Sequence, residues 1–127
     1  MEKIVLSIEL YSSKNSRQIF KTKTGRTIIA KSDAARRNER DLCFLLNIYA
    51  EKWKNLCTGK KYPLKVHLFI YRKTKRKFDY VNIVQNLFDC MQASGWLPDD
   101  DADHLIPVFE GYAVDDKCPR VIISVEN

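Results

Sequence analysis

Four aspartates occupy the five positions from 99 to 103, immediately after the turn sequence Gly95-Trp96-Leu97-Pro98. Carboxylates this close repel one another, which destabilises a fold unless water or a cation screens them. Mg²⁺ binds a small number of carboxylates and completes its shell with water and phosphate oxygens. The cluster therefore indicates either a solvated surface turn or a magnesium site, and composition and spacing alone leave both open.

A second set of polar side chains lies on a predicted helix that begins at Asp79 and continues to about residue 94. Asp79, Asn82, Asn86 and Asp89 occur at i, i+3, i+7 and i+10, which places them on one stripe of that helix. The stripe is expected to lie opposite the apolar face. An ordinary solvated helix with Asp79 as its N-cap also explains the pattern, because aspartate is a preferred N-cap residue.

A run of basic residues, 72 to 77, stands directly before this helix. Of the 22 Lys and Arg residues, 20 lie in residues 1–78, whereas 10 of the 16 Asp and Glu residues lie in residues 79–127. A basic surface is the electrostatic footprint of a polyanion, although basic residues also form ordinary solvated surfaces. Carboxylates holding Mg²⁺ beside a phosphate-binding surface would suit phosphodiester hydrolysis, in which the metal activates water and neutralises the scissile phosphate.

Hydrophobic periodicity predicts the elements that position these residues. Ser32 is predicted to cap a first helix that runs to about Leu56. Strands are predicted over 3–10, 18–23, 26–30, 64–71, 104–114 and 120–125. The expected fold is α+β, a single domain over residues 1–127 with a mixed sheet, two main helices and the order β-β(β)-α-β-α-β-β.

Composition excludes several classes of protein. No apolar run approaches the ~18 residues that suggest a membrane span. The first residues alternate like a strand and lack an apolar signal core, so the protein is expected in the cytoplasm. None of the four cysteines forms a C-x-x-C pair, and the two histidines are not at zinc-finger spacings from them.

Several motifs together resemble the RusA-like Holliday junction resolvases. The family pattern is a basic run, then D-x-D-N-x-x-K with a helical aspartate, then an Asp-Asp pair just before a strand. The matching motifs here are Arg76-Lys77-Phe78-Asp79-x-x-Asn82, then Asp89, then Gly95-Trp96-Leu97-Pro98-Asp99-Asp100. A loop with Asn15 after the first strand, and Gly25-Arg26-Thr27 before the first helix, also agree. The resemblance spans nearly the whole chain and is densest over 76–101.

The resemblance implies a small homodimeric endonuclease that uses Mg²⁺ or Mn²⁺ to nick four-way DNA junctions symmetrically in recombination and repair. Such enzymes are frequently encoded by prophages. The catalytic residues it implies are Asp79, Asp100 and Asp99, and the metal ligands are Asp79, Asp89, Asp99 and Asp100. The implied DNA-binding residues are Lys73, Lys75, Arg76, Lys77, Asn82, Gln85 and Asn15. Arg36, Arg37 and Arg40 are expected to extend that DNA-binding surface.

Two departures from the family pattern leave three interpretations open. Val81 stands where the family has its second aspartate, and Gln85 stands where it has a lysine. The metal site could be rebuilt with Asp89, Asp99 or Asp103, or it could hold one metal ion instead of two. Alternatively, the protein binds branched DNA without cutting it. A further alternative is an unrelated basic domain with an acidic surface turn.

Overall fold

The computed structural model describes residues 2–12 and 17–126, so Asn15 lies outside the described residues. The elements in chain order are β1 (Ile4–Leu6), β2 (Arg17–Lys21), β3 (Thr27–Lys31), α1 (Asp33–Ile48), α2 (Ala50–Cys57), β4 (Leu64–Arg72), α3 (Tyr80–Ala93), β5 (Leu105–Val114) and β6 (Arg120–Val125).

Four strands form one mixed sheet in the order β1-β6-β4-β5. Strands β4 and β5 are parallel, and β6 pairs antiparallel with both β1 and β4. Strands β2 and β3 form a separate antiparallel hairpin. Gly25 lies in the turn of this hairpin with a φ of +81°, a conformation that favours glycine. The predicted α+β class with a mixed sheet is therefore confirmed.

The core lies between the helices and one face of this sheet. Strand β4 alternates as predicted, with Leu64, Val66, Leu68 and Ile70 buried and the intervening side chains more exposed. Buried residues of β1, β6 and all three helices join the same cluster. This packing holds β4 and α3 in place. The candidate site residues lie on α3 and on the loops that join it to β4 and to β5.

The first predicted helix is divided into two, which corrects the prediction of two main helices. Helix α1 ends at Ile48, and Tyr49 leaves helical geometry with φ −93° and ψ 11° before α2 begins. Hydrogen bonds from Tyr49 N to Leu45 O and from Trp53 N to Tyr49 O span the break. The spacing of apolar residues continues across this break, so the sequence pattern predicts one long helix.

The first strand is shorter than predicted. It ends at Leu6, because the amide of Ile8 donates to Leu6 O at 2.9 Å and turns the chain out of the sheet. Leu10 remains buried beyond this turn. The predicted span of 3–10 therefore combined a short strand with an irregular segment that also contributes to the core.

Ser32→Ala is expected to lower the free energy of unfolding by about 1 kcal/mol. Ser32 Oγ accepts a hydrogen bond from Ala35 N at 3.1 Å and so satisfies one free amide at the start of α1. Chemical denaturation checks this value. Ser32→Asp, which keeps the acceptor, is the control and should lie near the parent. An alanine variant as stable as the parent would contradict the capping role.

Candidate functional site

Two tryptophans anchor the segment that leads to the acidic cluster. The indole rings of Trp53 and Trp96 stack with centroids 4.6 Å apart. Each indole N–H donates to a backbone carbonyl, Trp53 Nε1 to Trp96 O at 2.8 Å and Trp96 Nε1 to Leu46 O at 2.9 Å. These contacts fix the chain three residues before Asp99. Sequence reasoning missed this role, because no spacing rule relates positions so far apart in the chain.

The acidic cluster begins with a local hydrogen bond between neighbours. The amide of Asp100 donates to Asp99 Oδ1 at 2.8 Å, and both residues are half-buried. The pKa of Asp100 is raised, first by desolvation, then by its side-chain hydrogen bond with Asp99, and also by the negative charges of Asp89 and Asp99. The negative charge of Asp89 on α3 therefore acts on the Asp-Asp pair.

The other two aspartates of the cluster, Asp101 and Asp103, occupy different surroundings. Asp101 Oδ1 lies 2.5 Å from His104 Nδ1, and its carbonyl accepts from the amides of His104 and Leu105. It thereby closes the turn into β5. Asp103 is exposed. Asp101 is thus committed to this turn, which leaves Asp99 and Asp100 as the half-buried pair of the cluster.

Asp79 lies at the other end of α3, at the N-cap position, where its side chain makes no capping hydrogen bond. Asn82 Nδ2 donates to Asp79 Oδ2 at 3.3 Å. A cleft of about 300 Å³ contains Asp79 and Asn82 together with Arg72 and Lys77. One carboxylate therefore stands among cations that can bind a phosphate group.

Arg72 organises the basic segment, although the sequence did not single it out from the run. Its guanidinium donates to Arg76 O at 2.8 Å and lies 4.2 Å from the centre of the Phe78 ring. The segment is thereby folded back against the end of β4. The sequence signal for this role of Arg72 was its position as the last residue of a long alternating strand.

The four predicted phosphate-binding residues all lie in this segment between β4 and α3. They are exposed, and within the described part of the chain none of them forms a salt bridge. These residues are Lys73, Lys75, Arg76 and Lys77. Their charges therefore remain available to an anionic partner.

The carboxylates fall into two sets within one chain. Asp79 and Asp89 are ten residues apart on α3, so their Cα atoms are separated by about 15 Å along the axis. Among residues 2–12 and 17–126, no three Asp, Glu, His or Cys side chains are arranged to hold a metal ion. The structure thus brings Asp89 near Asp100 but places Asp79 apart from them.

The polar stripe of α3 is less regular than predicted. Asn86 is buried, because it lies one turn after Ile83 and one turn before Cys90, which are both in the core. Gln85 is exposed and donates from Nε2 to Asp89 Oδ1 at 3.1 Å. Val81 is 66% exposed on the first turn, where the family has an aspartate. A carboxylate at position 81 would therefore face solvent near Asp79.

Asp100→Asn is expected to stabilise the fold at pH 7 and to have little effect at pH 3. A carboxyl whose pKa is raised on folding disfavours the folded state once it ionises, and this penalty is absent below its unfolded pKa of about 3.9. Urea denaturation at both pH values measures the difference. Asp103→Asn controls for net charge. A variant that is less stable than the parent at pH 7 would contradict the assigned desolvation and repulsion.

Comparison of the chain with protein-family models and with curated proteins found no match. Among the described residues, no helix is long and apolar enough to cross a membrane.

Proposed function

We propose that this protein is a Mg²⁺-dependent, structure-selective DNA endonuclease of the RusA-like type, which resolves four-way junctions in the cytoplasm. The observation that carries the proposal is the cleft at the start of α3. There, Asp79 stands beside Arg72 and Lys77, and three further cations, Lys73, Lys75 and Arg76, lie in the adjoining segment. None of these three has a salt-bridge partner among the described residues. This combination suits a phosphodiester substrate, because the cations bind phosphate and the carboxylate lies within the same cleft.

The carboxylates of the site suit a hard divalent cation whose coordination shell is completed by the substrate. Mg²⁺ is commonly held by one or two carboxylates together with water and phosphate oxygens, so three protein ligands are not required. Asp99 and Asp100 would hold it, with Asp89 as a supporting charge. A cation there would offset the desolvation and the carboxylate repulsion that raise the pKa of Asp100. When bound, the metal supplies charge neutralisation and an activated water.

The other residues of the site have supporting roles in this proposal. Asn82 holds the Asp79 carboxylate through a hydrogen bond, and Gln85 does the same for Asp89. Lys73, Lys75 and the neighbouring cations bind phosphates on either side of the cut. Because two cuts related by two-fold symmetry are needed to resolve a junction, a homodimer is part of the proposal. Light scattering of the purified protein measures its mass.

Cleavage of a labelled four-way junction tests the proposal, with a linear duplex of the same length as the control substrate. Paired nicks on the junction are expected with Mg²⁺ or Mn²⁺, and none with a chelator. Mg²⁺ is also expected to raise the melting temperature of the parent but not of Asp100→Asn, a readout independent of cutting. Junction binding without nicks under either metal would contradict the nuclease proposal.

The alternative function is branched-DNA binding without catalysis, which the exposed Val81 favours. A chain that lacks the second family aspartate could retain its phosphate-binding surface and lose its metal. In that case Val81→Asp combined with Gln85→Lys is expected to create metal-dependent cutting in a parent that has none. Both positions are exposed, so the two changes should leave stability within about 0.5 kcal/mol.

A further inference from the structure

The solvent-facing side of α1 carries a second basic surface, apart from the segment that precedes α3. A cleft of about 800 Å³ runs along this helix, and its lining includes Arg36, Arg37, Arg40, Phe44 and Asn47. The carboxylates of Asp33 and Glu39 also line it. Steps of three and four residues place these side chains on one side of the helix. The buried residues Ala35, Leu42 and Leu46 lie on the opposite side. This side of α1 therefore does not pack against the core.

The three arginines form no salt bridge within the described part of the chain. The three guanidinium groups outnumber the two carboxylates that line the same cleft, so a net positive charge remains and disfavours a two-fold contact, which would bring like residues together. They attract an anionic partner instead. Arg36 and Phe44 are eight residues apart, so the surface is about 12 Å long. That length matches roughly three successive phosphates of one DNA strand.

Phe44 adds a different kind of contact to this surface. It is 66% exposed, although a phenylalanine gains most by burial. Flat aromatic rings beside basic residues are typical of surfaces that bind unstacked nucleotides, because every base has a face on which a ring can stack. At the branch point of a junction the stack of base pairs is interrupted, which leaves such faces accessible.

We propose that Arg36, Arg37 and Arg40 bind the backbone of one junction arm and that Phe44 stacks on a base at the branch point. This inference rests on the proposed function and adds to it, because it assigns the preference for branched over linear DNA to α1. The basic segment before α3 then binds phosphates near the cut, while α1 recognises the interruption of the helix.

Binding is measured in EDTA, so that cutting plays no part, with a fluorescent four-way junction and a linear duplex at several salt concentrations. The triple variant R36Q/R37Q/R40Q is expected to lower the slope of log affinity against log salt by about 2 to 3. The control K52Q/K54Q/K61Q removes the same charge from exposed positions on and after α2 and should change the slope by less than about one. Equal slopes for the two triple variants would overturn the role of α1.

Phe44→Leu keeps an apolar side chain and removes the ring. It is expected to weaken binding of the junction about tenfold and binding of the duplex less than about twofold. Ile48→Ala, at a neighbouring position that is 57% exposed, controls for lost apolar surface and should affect neither substrate. An equal loss on both substrates would overturn the stacking role. A parent that binds neither DNA would overturn the proposed function itself, whereas normal binding with an unaffected Phe44→Leu variant would overturn only this inference.

Discussion

Asp100→Asn is expected to abolish metal-dependent cutting of a four-way junction while binding of the junction stays equal or becomes tighter. The substitution keeps the shape of the side chain but removes the charge that would hold the cation. Loss of one electrostatic contact to the reacting group typically costs about a hundredfold or more in rate. Removing a negative charge beside phosphate cannot weaken binding through repulsion. Asp79→Asn should also reduce cutting, because Asp79 shares a cleft with Arg72 and Lys77, where the proposal places a phosphate of the substrate.

Asp116→Asn is the matched control for both variants. It makes the same change of charge at an exposed position between β5 and β6. Single-turnover cutting with Mg²⁺, and binding in EDTA, separate catalysis from affinity. If Asp79→Asn and Asp100→Asn both cut at the rate of the parent, the assignment of the site is wrong. If Asp79→Asn still cuts and Asp100→Asn does not, only the carboxylates around Asp100 are needed for catalysis.

The largest expected effect on stability comes from Trp96→Ala. Truncation of a buried tryptophan costs about 3–5 kcal/mol, which is a large share of the roughly 5–15 kcal/mol that stabilises a domain. The variant would lose the stack on Trp53 and leave Leu46 O without its indole donor. Urea denaturation should therefore show a much lower midpoint. The mutation should also reduce cutting, because the chain leading to Asp99 loses its anchor.

Trp96→Phe separates packing from hydrogen bonding in this anchor. It keeps a ring against Trp53 but removes the indole N–H, so a loss of about 1–3 kcal/mol is expected for the unsatisfied carbonyl. Phe44→Ala serves as the control, since the exposed Phe44 should contribute less than about 0.5 kcal/mol. A Trp96→Ala variant that unfolds at the same urea concentration as this control would contradict the anchoring role.

The sequence by itself determined the elements whose burial pattern is local. Alternation predicted β4 and β6 within one residue of their ends, and helical periodicity together with Gly95 did the same for α3. It also placed the basic segment directly before α3 and Asp99 beside Asp100. These features follow from neighbours in the chain, so one sequence was enough to predict them.

Only the tertiary structure decided which distant groups meet. It broke the first helix at Tyr49, buried Asn86 and held Trp96 against Trp53. It also coupled Asp89 to Asp100 while leaving Asp79 at the far end of α3. The physical reason is that periodicity specifies which face of an element is apolar. The partner of that face, and therefore the distance between side chains on different elements, depends on how the whole core packs.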